Sequence, residues 1–209
     1  VSVAGPKGDF DPAIFVMTAG TALFRVFSGR SGRTATEFNP GIGPRTRFAF
    51  FPDAEGTTVP VLYAAATEEA ALSESILHDI PATGGTLVPS QYRDKVMARI
   101  TPRRDLTLAS FMGMGLRQIR ATHGEITSTS PAHYAATVHW AKAAHDVGCD
   151  GIVWMSPRCN TDHAVVLFGD RVSGHDLAQD PGFGRIFDLG PDLDWLSDTC
   201  APLGIEVRC

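Results

Sequence analysis

The stretch RFAFFPDAEGTTVPVLYAAATEEAALSESILHD, residues 47–79, sets an arginine, a tyrosine and a glutamate along a strand, strand, helix pattern. These are Arg47, Tyr63 and Glu74. A guanidinium grips anionic oxygens in pairs, a phenol offers an aromatic face with a hydroxyl, and a carboxylate steadies positive charge. Each also has an ordinary explanation. Arg47 could be a solvated strand end, Tyr63 a core residue with its hydroxyl at the rim, and Glu74 a surface carboxylate paired with His78 four residues on. One feature ties two of them together. Glu74 follows Tyr63 by a turn and a short helical segment, so both could border a cleft where the hairpin meets the helix. Spacing alone leaves both readings open.

Other chemistries have less support. His133, His139 and His145 are six residues apart, so they fan out around a helix and cannot share one metal-binding face. No metal site is expected. Ser156, in WMSPR, ends a strand but lacks the flanking glycines of a nucleophile elbow, and Pro157 follows it. The glycine-rich segments SGRSGR and GIGPR match no phosphate loop and suit a flexible lid equally well. The four cysteines, at 149, 159, 200 and 209, have neither zinc nor redox spacing and read as reduced thiols, with Cys209 the most reactive.

The elements that must position these residues follow from periodicity. Segments 22–27, 47–51, 59–66, 95–102, 106–110, 151–156 and 163–169 read as strands, with 47–51 and 59–66 an antiparallel pair about the turn PDAEGTT. GRIFDL and IEVR are further strand candidates. Thr67 is an N-cap, and the helix it opens runs to Ile80, stopped by Pro81, with Leu72, Ile76 and Ile80 on one stripe and Glu74 turned away from it. Ser130-Pro131 opens a second helix that Gly148 closes, and PDLDWLSDTCAPLG is a short third. Residues 28–44 form a long glycine-rich loop. Runs of strands between helices, without regular alternation, predict a mixed α+β fold.

Composition sets the bounds. The 209 residues suffice for one sizeable core, and 44% apolar with 20% charged residues is ordinary for a globular chain. A formal charge of −5 with scattered arginines gives no basic stripe for nucleic acid. No apolar run reaches the roughly 18 residues a membrane-spanning helix needs. Residues 1–20 read as an extended leader and 21–209 as a single domain. The chain does not begin with methionine, which admits its being the tail of a longer protein.

At this point the residues resemble a known family. LFRVF, a glycine-rich loop, RF, PVLYAA with TEEAALSESILHD, and later DGIVWMSPR before AVVLFG are similar to a RES domain over residues 22 to 172. The resemblance is strongest from 47 to 79. It implies an ADP-ribosyltransferase-like fold of mostly antiparallel sheets with flanking helices, and a bacterial toxin that degrades NAD by hydrolysis or phosphorolysis. Transfer of ADP-ribose to a protein is the alternative, and a non-catalytic binding module the second. The resemblance carries the family arginines onto Arg47 and Arg25, its tyrosine onto Tyr63, its glutamate onto Glu74 and its serine onto Ser156.

In that setting Glu74, Arg47 and Tyr63 are the expected catalytic residues. Arg25, Arg47, Tyr63 and Ser156 are the expected contacts to NAD. The carboxylate would hold a ribose hydroxyl and offset the charge of an oxocarbenium-like state. The guanidiniums would take the pyrophosphate, Tyr63 would stack on the pyridinium, and Ser156 would bond a ribose or amide group. No cofactor beyond NAD as substrate is implied. An antitoxin or immunity protein is the expected partner, and the expected place of action is the bacterial cytoplasm, reached directly or by delivery as part of a secreted effector.

Overall fold

The structure is a computed structural model and describes residues 5–6 and 8–209. Its strands, in chain order, are β1 (Ile14–Met17), β2 (Leu23–Ser28), β3 (Val61–Ala65), β4 (Gly85–Leu87), β5 (Lys95–Pro102), β6 (Leu106–Ser110), β7 (Gly151–Met155), β8 (His163–Phe168), β9 (Leu177–Ile186) and β10 (Ile205–Val207). The helices are α1 (Glu68–Ser73), α2 (Pro89–Tyr92), α3 (Met114–Gln118), α4 (His123–Ile126), α5 (Tyr134–Asp146) and α6 (Gly190–Cys200). Eight strands form one sheet in the order β1-β6-β7-β8-β3-β2-β5-β9, antiparallel at every step except β6–β7. A parallel pair, β10 with β4, stands apart. The mixed, mostly antiparallel α+β architecture expected from the sequence is the one adopted.

Strand alternation divides the core into two layers. Val61 and Ala65 of β3, Ile152 and Trp154 of β7 and Ala164, Val166 and Phe168 of β8 face α1 and α5 in the larger cluster. Their neighbours Leu62, Ala64, Val153, Val165 and Leu167 join the opposite cluster with Leu23, Ala98, Ile100 and Leu108. The central strands β7 and β8 are therefore apolar on both faces, as their continuous valine, isoleucine and leucine runs require. Helix α5 buries Val138, Ala141 and Ala144 on the larger cluster.

Several expectations change in the structure. Residues 47–51 are not a strand. Thr46 and Ala49 exchange backbone bonds in a tight turn with Arg47 at its tip, and β3 pairs with β2 and β8 instead. The apolar residues that looked like a strand are buried for another reason: Phe48, Ala49 and Phe51 plug the larger cluster. Helix α1 also ends early, at Ser73. The Ser75 hydroxyl donates to Ala71 O at 2.5 Å and Leu77 N bonds Leu72 O, so tight turns replace further helix. Ile14–Met17, read as part of a leader, is extended but lies in the sheet as an edge strand against β6. Residues 1–4 and 7 of that leader lie outside the described residues.

Strand β7, which leads to Ser156, begins at a close approach. A Cβ on Gly151 would lie 2.1 Å from Val166 O. Gly151→Ala is therefore expected to lower stability by about 1–3 kcal/mol, measured by denaturant unfolding.

Candidate active site

The end of α1 and the end of β7 meet on the face of the larger cluster. Thr67 caps α1 by accepting from Ala70 N at 3.2 Å, which fixes where the helix starts. After the six residues of α1 comes Glu74, its C-cap. Ser156, one residue past β7 and fully buried, donates from Oγ to Glu74 Oε1 at 2.6 Å. The same Oγ accepts from the backbone amides of Arg158 at 3.2 Å and Cys159 at 3.0 Å. Its bonding capacity is thus filled, and it lies beneath Glu74. Ser156, expected as a contact to substrate, has its Oγ bonded to the Glu74 carboxylate.

Arg47 approaches from the other side, with Nη1 3.9 Å from Glu74 Oε2. Its backbone is held firmly. The Thr137 hydroxyl of α5 donates to Arg47 O, and Phe48 N donates to the Tyr63 hydroxyl at 3.1 Å. Its guanidinium is held loosely. Nη2 reaches Thr129 O only at 3.4 Å, and Nε bonds no described residue although it is buried. A buried guanidinium with so few partners is ready to bind an anion. It also sits over the Tyr134 ring, 5.6 Å from the centroid.

Tyr63, expected as a stacking platform, also holds the turn beside it. Its hydroxyl exchanges a 2.9 Å bond with Thr46 as well as accepting from Phe48 N, so it clasps the turn that carries Arg47. Its ring meets Trp154 edge-on at 6.1 Å. Burial pushes its pKa from 10.0 up to about 12, and the phenol stays neutral.

Arg25 is not brought to this site. Phe24 and Val26, on either side of it in β2, pack toward the larger cluster, and alternation sends Arg25 to the opposite face. There it donates to Ala35 O at 2.6 Å and lies 5.3 Å from the Phe27 ring. Burial, with the Arg33 charge nearby, lowers its pKa to about 10. It braces the glycine-rich loop.

Two hollows meet at Arg47. The first, about 470 Å³, is bordered by Arg47, Tyr63, Glu74, His78, Asp79, Tyr134 and Trp154. The second, about 570 Å³, is bordered by Arg47, Ser73, Ile80, Arg158 and Leu203 among others. His78 does not pair with Glu74. Its Nδ1 is 2.8 Å from Asp79 and its Nε2 is 3.2 Å from the Tyr134 hydroxyl. Tyr134, Trp154 and Arg158 were missed in the sequence. Tyr134 opens α5 just after the Ser130-Pro131 start signal, where a first-turn aromatic could have marked it. Among the described residues no group of histidine, cysteine and carboxylate side chains could hold a metal ion. No helix there is long and apolar enough to cross a membrane.

Comparison with known proteins gives the family and the fold. A sequence model of the RES domain matches residues 22–189. The chain belongs to the RES domain family. It is similar in fold to a chain of the M. tuberculosis MbcT–MbcA toxin–antitoxin complex, with a TM-score of 0.54 and 14% identity over 87% of this chain and 90% of that one. No curated protein sequence matches it.

Tyr63→Phe would leave the buried Phe48 amide without its acceptor and is expected to cost about 1–3 kcal/mol. The pH dependence has a definite sign. The folded-state pKa of Tyr63 is the higher one, so its contribution is full below pH 10 and is lost as pH rises toward about 12. Urea unfolding of wild type against Tyr63→Phe across that window checks both, since the variant should lack this alkaline loss.

Proposed function

We propose that this chain is a toxin enzyme that consumes NAD by breaking the bond between nicotinamide and ribose. The observation that carries the reading is the Glu74 carboxylate, held by Ser156 Oγ at 2.6 Å and faced by Arg47 at 3.9 Å. It stands in a hollow that Tyr63 and Tyr134 also border, and its side chain is only 15% exposed. Nicotinamide departs from NAD as a neutral base, so the reaction needs no acid to protonate it. It needs a fixed negative charge near C1′ as the ribose gains oxocarbenium character. A carboxylate oriented in advance supplies that with little reorganisation during the reaction.

The remaining residues divide the labour. Glu74 Oε2, the oxygen not taken by Ser156, is the one left to hold a ribose hydroxyl. Arg47 binds a pyrophosphate oxygen from the far side, which anchors the sugar against the carboxylate. Tyr134 and Tyr63 offer aromatic surface to the pyridinium, whose positive charge suits their faces. Ser156 and Tyr63 act as positioning residues, one for Glu74 and the other for the Arg47 turn.

The acceptor of the ADP-ribosyl group is water or phosphate in this reading, with a protein side chain as the runner-up. The similar solved chain belongs to a toxin–antitoxin complex, which supports an antitoxin as partner. Action in the bacterial cytoplasm follows from where such a substrate is abundant.

The test is NAD consumption by purified protein. Glu74→Gln is expected to lower kcat by about 10²–10³-fold. Ser156→Ala is expected to lower it by about tenfold to a hundredfold with little change in KM, because the carboxylate loses its aim. Labelled NAD incubated with lysate separates the acceptors, since only transfer leaves label on protein. Intact NAD after long incubation with concentrated wild-type protein would overturn the reading.

A further inference from the structure

The two hollows differ in charge, and the difference assigns the ends of the substrate. In the smaller one Glu74 and Asp79 balance the guanidiniums of Arg45 and Arg47, beside Tyr134. No carboxylate borders the larger one among the described residues. Its charged groups are two guanidiniums, Arg47 and Arg158. Its apolar lining includes Ile80 together with Leu203 and Ile205 from the C-terminal segment. A cationic pyridinium therefore suits the smaller hollow, and an anion carrying a flat apolar ring suits the larger.

We infer that the larger hollow is the subsite for the adenosine 5′-phosphate half of NAD, with Arg158 and Leu203 as its specificity-determining residues. The inference rests on the reading of this chain as an NAD-consuming enzyme. Arg158 is exposed and is steadied by one bond, from Nη1 to Ile80 O at 3.0 Å, which leaves its other donors for phosphate oxygens. Arg47 borders both hollows and so stands where the pyrophosphate must pass between them. Leu203 is 50% exposed and borders the same hollow as Ile80, so its side chain is open to a purine face.

The C-terminal wall is built in and not incidental. Strand β10 pairs with β4 in parallel, the Tyr92 hydroxyl donates to Arg208 O at 2.6 Å, and Gly84 and Gly204 approach so closely that a Cβ on Gly84 would lie 2.3 Å from Gly204 O. Gly84 also has φ +90°, where a side chain is strained. Residues 201–205 lie beyond the 22–189 match to the RES domain, so this wall is a feature of the chain outside the family's shared segment.

Calorimetric titration with adenosine 5′-phosphate tests the subsite without requiring turnover. Wild type should bind it, and Arg158→Ala and Leu203→Glu should each weaken that binding by about tenfold or more. Leu203 is half exposed, so its substitution leaves the core intact. In parallel, the ratio of kcat/KM for NAD over nicotinamide mononucleotide should fall by about tenfold in each variant. Wild type failing to bind adenosine 5′-phosphate at millimolar concentration, or variants that bind it as wild type does, would overturn the inference. The two failures are distinguishable. Arginine-dependent binding without NAD cleavage sinks the functional reading and leaves the subsite standing, whereas NAD cleavage with unaltered variants sinks the subsite alone.

Discussion

A hydrogen bond from Ser156 Oγ to Glu74 Oε1 joins the end of β7 to the end of α1 across 82 residues of chain. A carboxylate with 15% side-chain exposure is costly to hold charged unless its oxygens are met by donors. Here one oxygen is met by a serine whose own acceptor capacity is filled by two backbone amides, and the other faces Arg47. Each surrounding feature serves this meeting. The Thr67 cap sets where α1 begins, and the Ser75 hydroxyl helps end it so that Glu74 falls at its close. Gly151 lets β7 lie against β8 closely enough to deliver Ser156 beneath the carboxylate.

The second arm of the site depends on a turn. Arg47 is carried at the tip of a tight turn whose backbone is held by Thr137 from α5 and by the Tyr63 hydroxyl from β3. Three elements distant in sequence thus converge on one residue, while its guanidinium is left with few partners of its own. Firm backbone with an under-used charged end is the arrangement expected of a group that waits for an anion.

Much of this was legible in the sequence where the signal was local. Strands β5 and β6 fall at 95–102 and 106–110, as their alternation indicated, and Thr67 caps the helix it was expected to cap. The helical stripe expected through Ile76 and Ile80 was not adopted, because α1 ends at Ser73 and tight turns carry those residues into the core. What was not legible depended on partners far along the chain. Phe48 and Phe51 are apolar because they fill a tertiary cluster, and a single-sequence pattern cannot distinguish that from a strand. Arg25 looked equivalent to Arg47 by residue type, yet which face of β2 met the site depended on the packing of Phe24 and Val26. Tyr134 and Arg158 carry no motif of their own. They matter because α5 and the loop after β7 reach the same hollows as α1.

The account stands on Ser156 acting through Glu74, and a double-mutant cycle on kcat for NAD cleavage tests that most directly. With Glu74 intact, Ser156→Ala should slow the reaction. With Glu74→Gln already in place, adding Ser156→Ala should cost almost nothing further, because the group it aims is gone. Additive losses in the double variant would mean that the serine and the carboxylate work independently, and would contradict the account.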